Sequence, residues 1–176
     1  MPFEDVRTVM TIDVASLPIT VGVGGFLVRG DRLLVVRKTY GPWAGLWTIP
    51  SGYVEPRESV SRTVEREVEE EAGVLGKTEA LVGVRNLVTD RVNDTFLVFS
   101  MSYVSGEARP DRTEVSDAAF LPMKELADTD ESAPFTKMMI DRIRDARGFR
   151  LDAYRPPKAA LDHTAYLLYL EHAKGL

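Results

Sequence analysis

Apolar and polar residues alternate with a period near two in residues 79–88 and 95–104, and apolar residues recur with a period near 3.6 in a few longer runs. The alternating runs predict strands, and the apolar runs at residues 19–28, 33–37 and 118–121 are strand-like too. Arg29-Gly30-Asp31-Arg32 reads as a hairpin turn between the first two. Residues 59–72 predict a helix, because Val60, Val64, Val68 and Ala72 recur at i+4 and form an apolar stripe. Ser59 or Glu58 can cap its start, and Gly73 sits where a helix commonly stops. Residues 122–127 begin a helical turn, and 135–147 predict a further helix with apolar residues at 135, 138, 139, 143 and 146. Residues 39–46 and 106–113 read as loops. Strands, then a helix, then strands, then a helix imply an α/β fold with mixed pairing.

The two ends read differently. Residues 1–17 are an arm or a strand, residues 18–150 one folded unit, and residues 151–176 a linker and a C-terminal helix. Arg150 to Lys158 holds Pro156-Pro157, a linker signal. The helix predicted at 159–173 has a wide apolar side, with Leu161, Ala165 and Leu168 flanked by Tyr166, Leu167, Tyr169 and Leu170. Such a side must be covered, either by the chain's own core or by a second subunit in a homodimer.

The chemistry concentrates in residues 52–74, GYVEPRESVSRTVEREVEEEAGV. As a pattern this is G-x5-E-x7-R-E-U-x-E-E-x-G-U, with U aliphatic, and every fixed position is filled. Average residue usage would produce it by chance on the order of once in ten million such chains. On the predicted helix Glu67, Glu70 and Glu71 stand at i, i+3 and i+4, on one face. Arg62, Glu65 and Glu69 point away from it, to water. Three adjacent carboxylates repel one another. The arrangement makes sense if a divalent cation fills the gap between them. An all-oxygen ligand set selects a hard ion, Mg2+ or Mn2+ rather than Zn2+. Gly52 precedes the helix, where a glycine lets the backbone approach a ligand, and its carbonyl can join the oxygen shell. The other reading of a charge-rich helix face, plain solvated surface, does not explain the loop before it.

This segment resembles the signature box of the Nudix hydrolases, and Trp47-Thr48-Ile49-Pro50 resembles the W-x-U-P that precedes it in that family. Ser51 stands where many members have a second glycine. The resemblance covers residues 18–148. It implies an α/β/α sandwich around a mixed sheet, a Mg2+ or Mn2+ cofactor, and hydrolysis of a pyrophosphate bond in a nucleoside diphosphate linked to a further group. It implies that Glu67, Glu70 and Glu71 bind the metal, that one of them activates the water, that Arg66 orients a glutamate through an ion pair, and that Glu58 supports the site. In the family a basic residue near Arg37 often touches a phosphate; the alternative is a surface cation beside Lys38.

Candidates outside the box are fewer. Tyr40, Trp43 and Trp47 cluster around the loop at 39–46, and a base can stack on Tyr40 or Trp43, with Trp47 more suited to the core. Glu114 is a candidate further metal ligand or base, or an ordinary surface glutamate. Gly22-Val23-Gly24-Gly25 lacks the full dinucleotide-loop pattern and reads as glycines in a strand.

Composition narrows the classes. The 176 residues are 44% hydrophobic, enough for one substantial core. The net charge of -5 argues against nonspecific nucleic-acid binding. With no cysteine there is neither disulfide nor thiol chemistry. No apolar run reaches membrane-spanning length, and the expected compartment is the cytoplasm. The expected partner is a small nucleotide. The rival readings are a nucleotide-sensing module that binds without turnover, and a pyrophosphohydrolase of RNA 5′ ends, which would need a basic track.

Overall fold

Strand β1 (Ile19–Arg29) is apolar on both faces, and the computed structural model puts it inside the sheet. The structure describes residues 18–143, 148–151 and 167–171. After β1 come β2 (Arg32–Lys38), β3 (Trp47–Thr48), β4 (Ser51–Tyr53), α1 (Val60–Ala72), β5 (Val74–Val88), β6 (Asn93–Gly106), β7 (Val115–Pro122), α2 (Met123–Asp128), α3 (Pro134–Ile143), β8 (Phe149–Leu151) and β9 (Tyr169–Leu170). β1 runs parallel to β6, from Ile19 opposite Asn93 to Leu27 opposite Met101. It pairs antiparallel with β2 and β4, and the remaining pairs are antiparallel too. The sheet is therefore mixed, in the order β3-β2-β1-β6-β5-β8-β9, with β4 on β1 and β7 on β2.

Period-two alternation divides the core in two. On β2, Leu34 and Val36 face one cluster while Leu33 and Val35 face the other. The first cluster takes Val64, Val68 and Ala72 from α1. The second takes Met123 and Leu126 from α2, and Met139, Ile140 and Ile143 from α3. Helices cover both faces of the sheet, as expected for an α/β/α sandwich. Gly25 lets α1 sit close, since a Cβ there would lie 2.7 Å from Val68 Cγ2.

The local signals of α1 are met. Ser59 is the cap, and its Oγ accepts from the Arg62 backbone N–H at 3.3 Å. Gly73 ends the helix at φ 67°, a left-handed conformation that costs glycine little. Glu65 departs from expectation: it is half-buried, pairs with Lys77 at 3.1 Å and accepts from the Thr78 backbone N–H at 3.1 Å.

β5 begins directly after Gly73, five residues earlier than the alternation suggests, because it pairs with β6 through three register shifts. Arg150 and Leu151 belong to β8 and not to a linker. Tyr169 and Leu170 form a strand on β8 where the pattern predicts helix. Tyr169 packs on Phe99 at 5.5 Å between ring centres, so it covers core from the sheet edge. The arm at 1–17, residues 144–147 of the helix predicted at 135–147, Pro156-Pro157, and residues 159–166 and 172–173 of the C-terminal helix prediction lie outside the described residues. No described helix is long and apolar enough to cross a membrane.

Candidate functional site

The α1 face turned toward β4 and the end of β2 carries the three glutamates at graded depth. The Glu71 side chain is 4% exposed, Glu67 12% and Glu70 60%. The gradient follows from helix geometry, because Glu71 lies nearest the buried stripe of Val64 and Val68. Glu71 Oε2 accepts from the Ser51 backbone N–H at 2.9 Å. Glu71 Oε1 is buried without an aligned hydrogen bond, and Lys38 Nζ lies 2.9 Å away as its ion-pair partner. Burial pushes the Glu71 carboxyl up to about 6, against the opposing pull of Lys38 and the Ser51 N–H. Burial also raises Glu67, against Arg66 and Lys38.

Arg66 ties the glutamates together. Its Nε and Nη2 donate to the two oxygens of Glu58, both at 3.0 Å. Its Nη1 donates to Glu67 Oε1 at 2.7 Å and Glu70 Oε2 at 2.9 Å. Hydrogen bonds from Arg66 hold the Glu58 carboxyl below its ordinary value. Thr63 Oγ1 adds a bond to Glu58 at 2.9 Å. A planar fork that grips one carboxylate bidentately and still reaches two others is a task for arginine rather than lysine.

Gly52 sits in β4 against this cluster. A Cβ on it would lie 2.2 Å from Glu67 Cδ and Oε1, so any side chain there would displace the carboxylate. Together these residues form one wall of a cleft of about 620 Å³. Tyr40, Asp111 and Glu114 line the other. Tyr40 Oη donates to Glu114 Oε2 at 3.2 Å. Burial, then the nearby Glu114 charge, pushes the Tyr40 hydroxyl up to about 12, so it stays a donor. Asp111 shapes the loop, accepting from the backbone N–H groups of Thr113 (3.0 Å), Glu114 (3.1 Å) and Val115 (2.9 Å).

Of the residues singled out from sequence, Gly52, Arg66, Glu67, Glu70, Glu71, Tyr40 and Glu114 line this cleft, and Glu58 stands behind Arg66. Arg37 and Trp43 do not line it. The Arg37 guanidinium lies over the Trp47 ring at 4.2 Å, donates to the Gly45 carbonyl at 2.6 Å and pairs with Glu131. Trp43 is exposed on its loop. Lys38 and Asp111 were not singled out. Strand parity held the signal for Lys38, because it continues the row of Leu34 and Val36 that faces α1. No local signal marks Asp111, whose role depends on where its loop lands.

The donor chemistry fits a hard divalent cation: carboxylates of graded exposure, a buried Glu71 oxygen without an aligned donor, and a backbone kept bare beside Glu67. Among the described residues no three acidic side chains converge on one point as they stand. Arg66 lies between Glu67 and Glu70, and Lys38 lies beside Glu71.

Known proteins resemble this chain in sequence and in fold. An ADP-ribose pyrophosphatase of Methanocaldococcus jannaschii is 28% identical over 108 residues, covering 60% of this chain and 63% of that protein. An NAD-capped RNA hydrolase, NudC, of Pseudomonas aeruginosa is 32% identical over 116 residues, covering 65% of this chain and 40% of that protein. The chain thus spans less than two thirds of the length of these relatives. A Nudix hydrolase structure from Nitrosomonas europaea superposes with a TM-score of 0.66 at 26% identity, covering 78% of this chain and 97% of that one. The NUDIX domain family model matches residues 18–142, which takes in both cleft walls and the sheet from β1 to β7, so the chain belongs to the Nudix family.

Proposed function

We propose that this chain hydrolyses a pyrophosphate bond in a nucleoside diphosphate linked to a further group, with Mg2+ or Mn2+ as cofactor. The observation that carries the reading is the wall of Glu67, Glu70 and Glu71, graded from buried to exposed, facing a polar cleft of nucleotide size. Glu67, Glu70 and Glu71, with the Gly52 carbonyl, would hold the ion. When bound, such an ion neutralises phosphate charge and lowers the pKa of an attacking water. Arg66, anchored on Glu58, fixes the directions of Glu67 and Glu70. Glu70 and Glu114 are exposed carboxylates on the two walls, and either could accept a proton from water. Tyr40 offers its ring to a base while its hydroxyl stays bonded to Glu114.

The substrate in this reading is a small nucleotide: a nucleoside triphosphate, a dinucleoside polyphosphate or an ADP-ribose-like diphosphate. Among the described residues that line the cleft, Arg66 is the sole cation, set against five glutamates and one aspartate. A few phosphates can be balanced there by bound ions, whereas an RNA strand would need a basic track. The catalytic unit we assign is residues 18–150. A pooled nucleotide panel, assayed for released phosphate, pyrophosphate and nucleoside monophosphate with Mg2+ and with chelator, tests the proposal. Product is expected from at least one free nucleotide and should vanish with chelator. No turnover of any pool, or full activity in chelator, refutes it. Triphosphorylated RNA oligomers cleaved at least about tenfold more efficiently than every free nucleotide would refute the substrate class.

A further inference from the structure

Lys38 plays no part in the reaction drawn above, yet it is the cation most deeply engaged with the carboxylate wall. Its side chain is 15% exposed at the end of β2, and its ammonium meets two oxygens: Glu71 Oε1 at 2.9 Å and the Ser51 carbonyl. Glu71 Oε2 is taken by the Ser51 N–H. The chain itself therefore occupies both oxygens of its most buried acidic side chain on α1. A carboxylate at that depth needs a countercharge, because an unpaired buried ion is costly. The divalent cation would need the same Oε1, and two cations cannot share one buried oxygen without strong repulsion.

We propose that Lys38 is the resident counter-ion of Glu71 in the metal-free protein, and that a divalent cation binds by displacing its ammonium, so that Lys38 sets the metal affinity of the site. The inference rests on the metal-dependent reading given above. The displaced ammonium has a place to go. The Tyr40 ring centre lies 5.7 Å from Nζ, on the opposite cleft wall, and an aromatic face is a fitting surface for a cation. Lys38 is in this sense a positioning residue. It holds Glu71 and Ser51 in place until the ion arrives, then leaves its positive charge on the cleft side.

The test is Mn2+ binding to the metal-free full chain without nucleotide, read from the electron paramagnetic resonance of the free ion at one mildly alkaline pH. Wild type, Lys38→Met, Lys38→Arg and Glu71→Gln are compared. Lys38→Met should bind about tenfold more tightly than wild type, the scale of a partly buried charge pair, while Lys38→Arg keeps the wild-type affinity. A Lys38→Met affinity weaker than wild type or within about threefold of it, or an equal tightening in Lys38→Arg, overturns the proposal. A second measurement needs no apolar variant to fold. In lysine ammonium 15N NMR of the wild type, one protected signal, identified by its loss in Lys38→Arg, should leave its position during a Mg2+ titration. Its persistence at saturating Mg2+ overturns the proposal. If wild type binds Mn2+ and Glu71→Gln does not, while Lys38→Met matches wild type, the inference fails and the metal reading stands. If wild type binds no Mn2+, both fall.

Discussion

The two walls of the cleft are built by different means. One comes from α1 and β4: carboxylates spaced by helical turns, a glycine pressed against Glu67, and an arginine making four hydrogen bonds. The other comes from the loops at 39–46 and 107–114. Its side chains are held by Tyr40 on Glu114, by the Thr39 N–H on the Glu114 carbonyl at 2.8 Å, and by the Asp111 turn. The first wall is rigid because its geometry is inherited from a packed helix. The second rests on a few partly exposed hydrogen bonds, which can be rearranged at small cost. The chemistry we assign sits on the rigid wall, and recognition sits on the adaptable one.

Substitutions on the two walls should therefore differ in size and in kind. Glu70→Gln and Glu71→Gln should each lower kcat on the order of a hundredfold or more, since each removes a carboxylate charge assigned to hold the ion that neutralises the phosphates. The Glu70 side chain is 60% exposed, so Glu70→Gln should leave the melting temperature almost unchanged. Near-wild-type turnover of both variants at saturating Mg2+ would remove the rigid wall from the chemistry.

Gly52→Ala comes next. Its methyl carbon would sit 2.2 Å from Glu67 Cδ, so the carboxylate or β4 must move. Activity should fall about ten- to a hundredfold from misplacement alone, with a stability loss of about 1–3 kcal/mol from overpacking. A thermal melt beside steady-state kinetics checks both, and an active, stable alanine variant would mean that the wall is softer than argued.

The pH dependence of metal binding tests the depth gradient on that wall. Burial raises Glu71 from the ordinary 4.5 to about 6. Metal needs the carboxylate, so affinity should be flat well above that value and fall by about tenfold between pH 7 and pH 5. In the metal-free protein the sign is opposite. A raised carboxyl favours the fold below pH 4.5, and that contribution is lost as pH rises through about 6. Calorimetric titration of the wild type with Mg2+ across this range is the measurement, and an affinity that does not change between pH 7 and pH 5 would contradict it.

The smallest effect belongs to the loop wall. Tyr40→Phe removes the bond to Glu114 and keeps the ring, so KM should change by about threefold or less, with kcat unaffected. A large kcat loss in this variant would move chemistry onto the second wall.

The sequence by itself determined what is local. A helix from 59–72 with its cap, its left-handed stop, its apolar stripe and its acidic face follows from spacing, since spacing fixes the angle of each side chain about the helix axis. The unbroken apolar run Leu33 to Val36 of β2 likewise implied core on both faces of the sheet. Only the tertiary structure decided the partners. The order of depth follows from the angle of each glutamate to the apolar stripe, but that Glu71 meets Lys38 and the Ser51 N–H depends on where α1 lies on β2 and β4. Lys38 rather than Arg37 reaches Glu71 because the α1 layer covers one face of β2, while Arg37 is drawn off by Trp47 and Glu131. Glu65 left the solvated face when β5 brought Lys77 and Thr78 beside it. The apolar run holding Tyr169 and Leu170 suits a helix or a strand equally, and pairing with β8 chose the strand. Each of these outcomes depends on a neighbour far along the chain, and a local periodicity carries no information about which neighbour arrives.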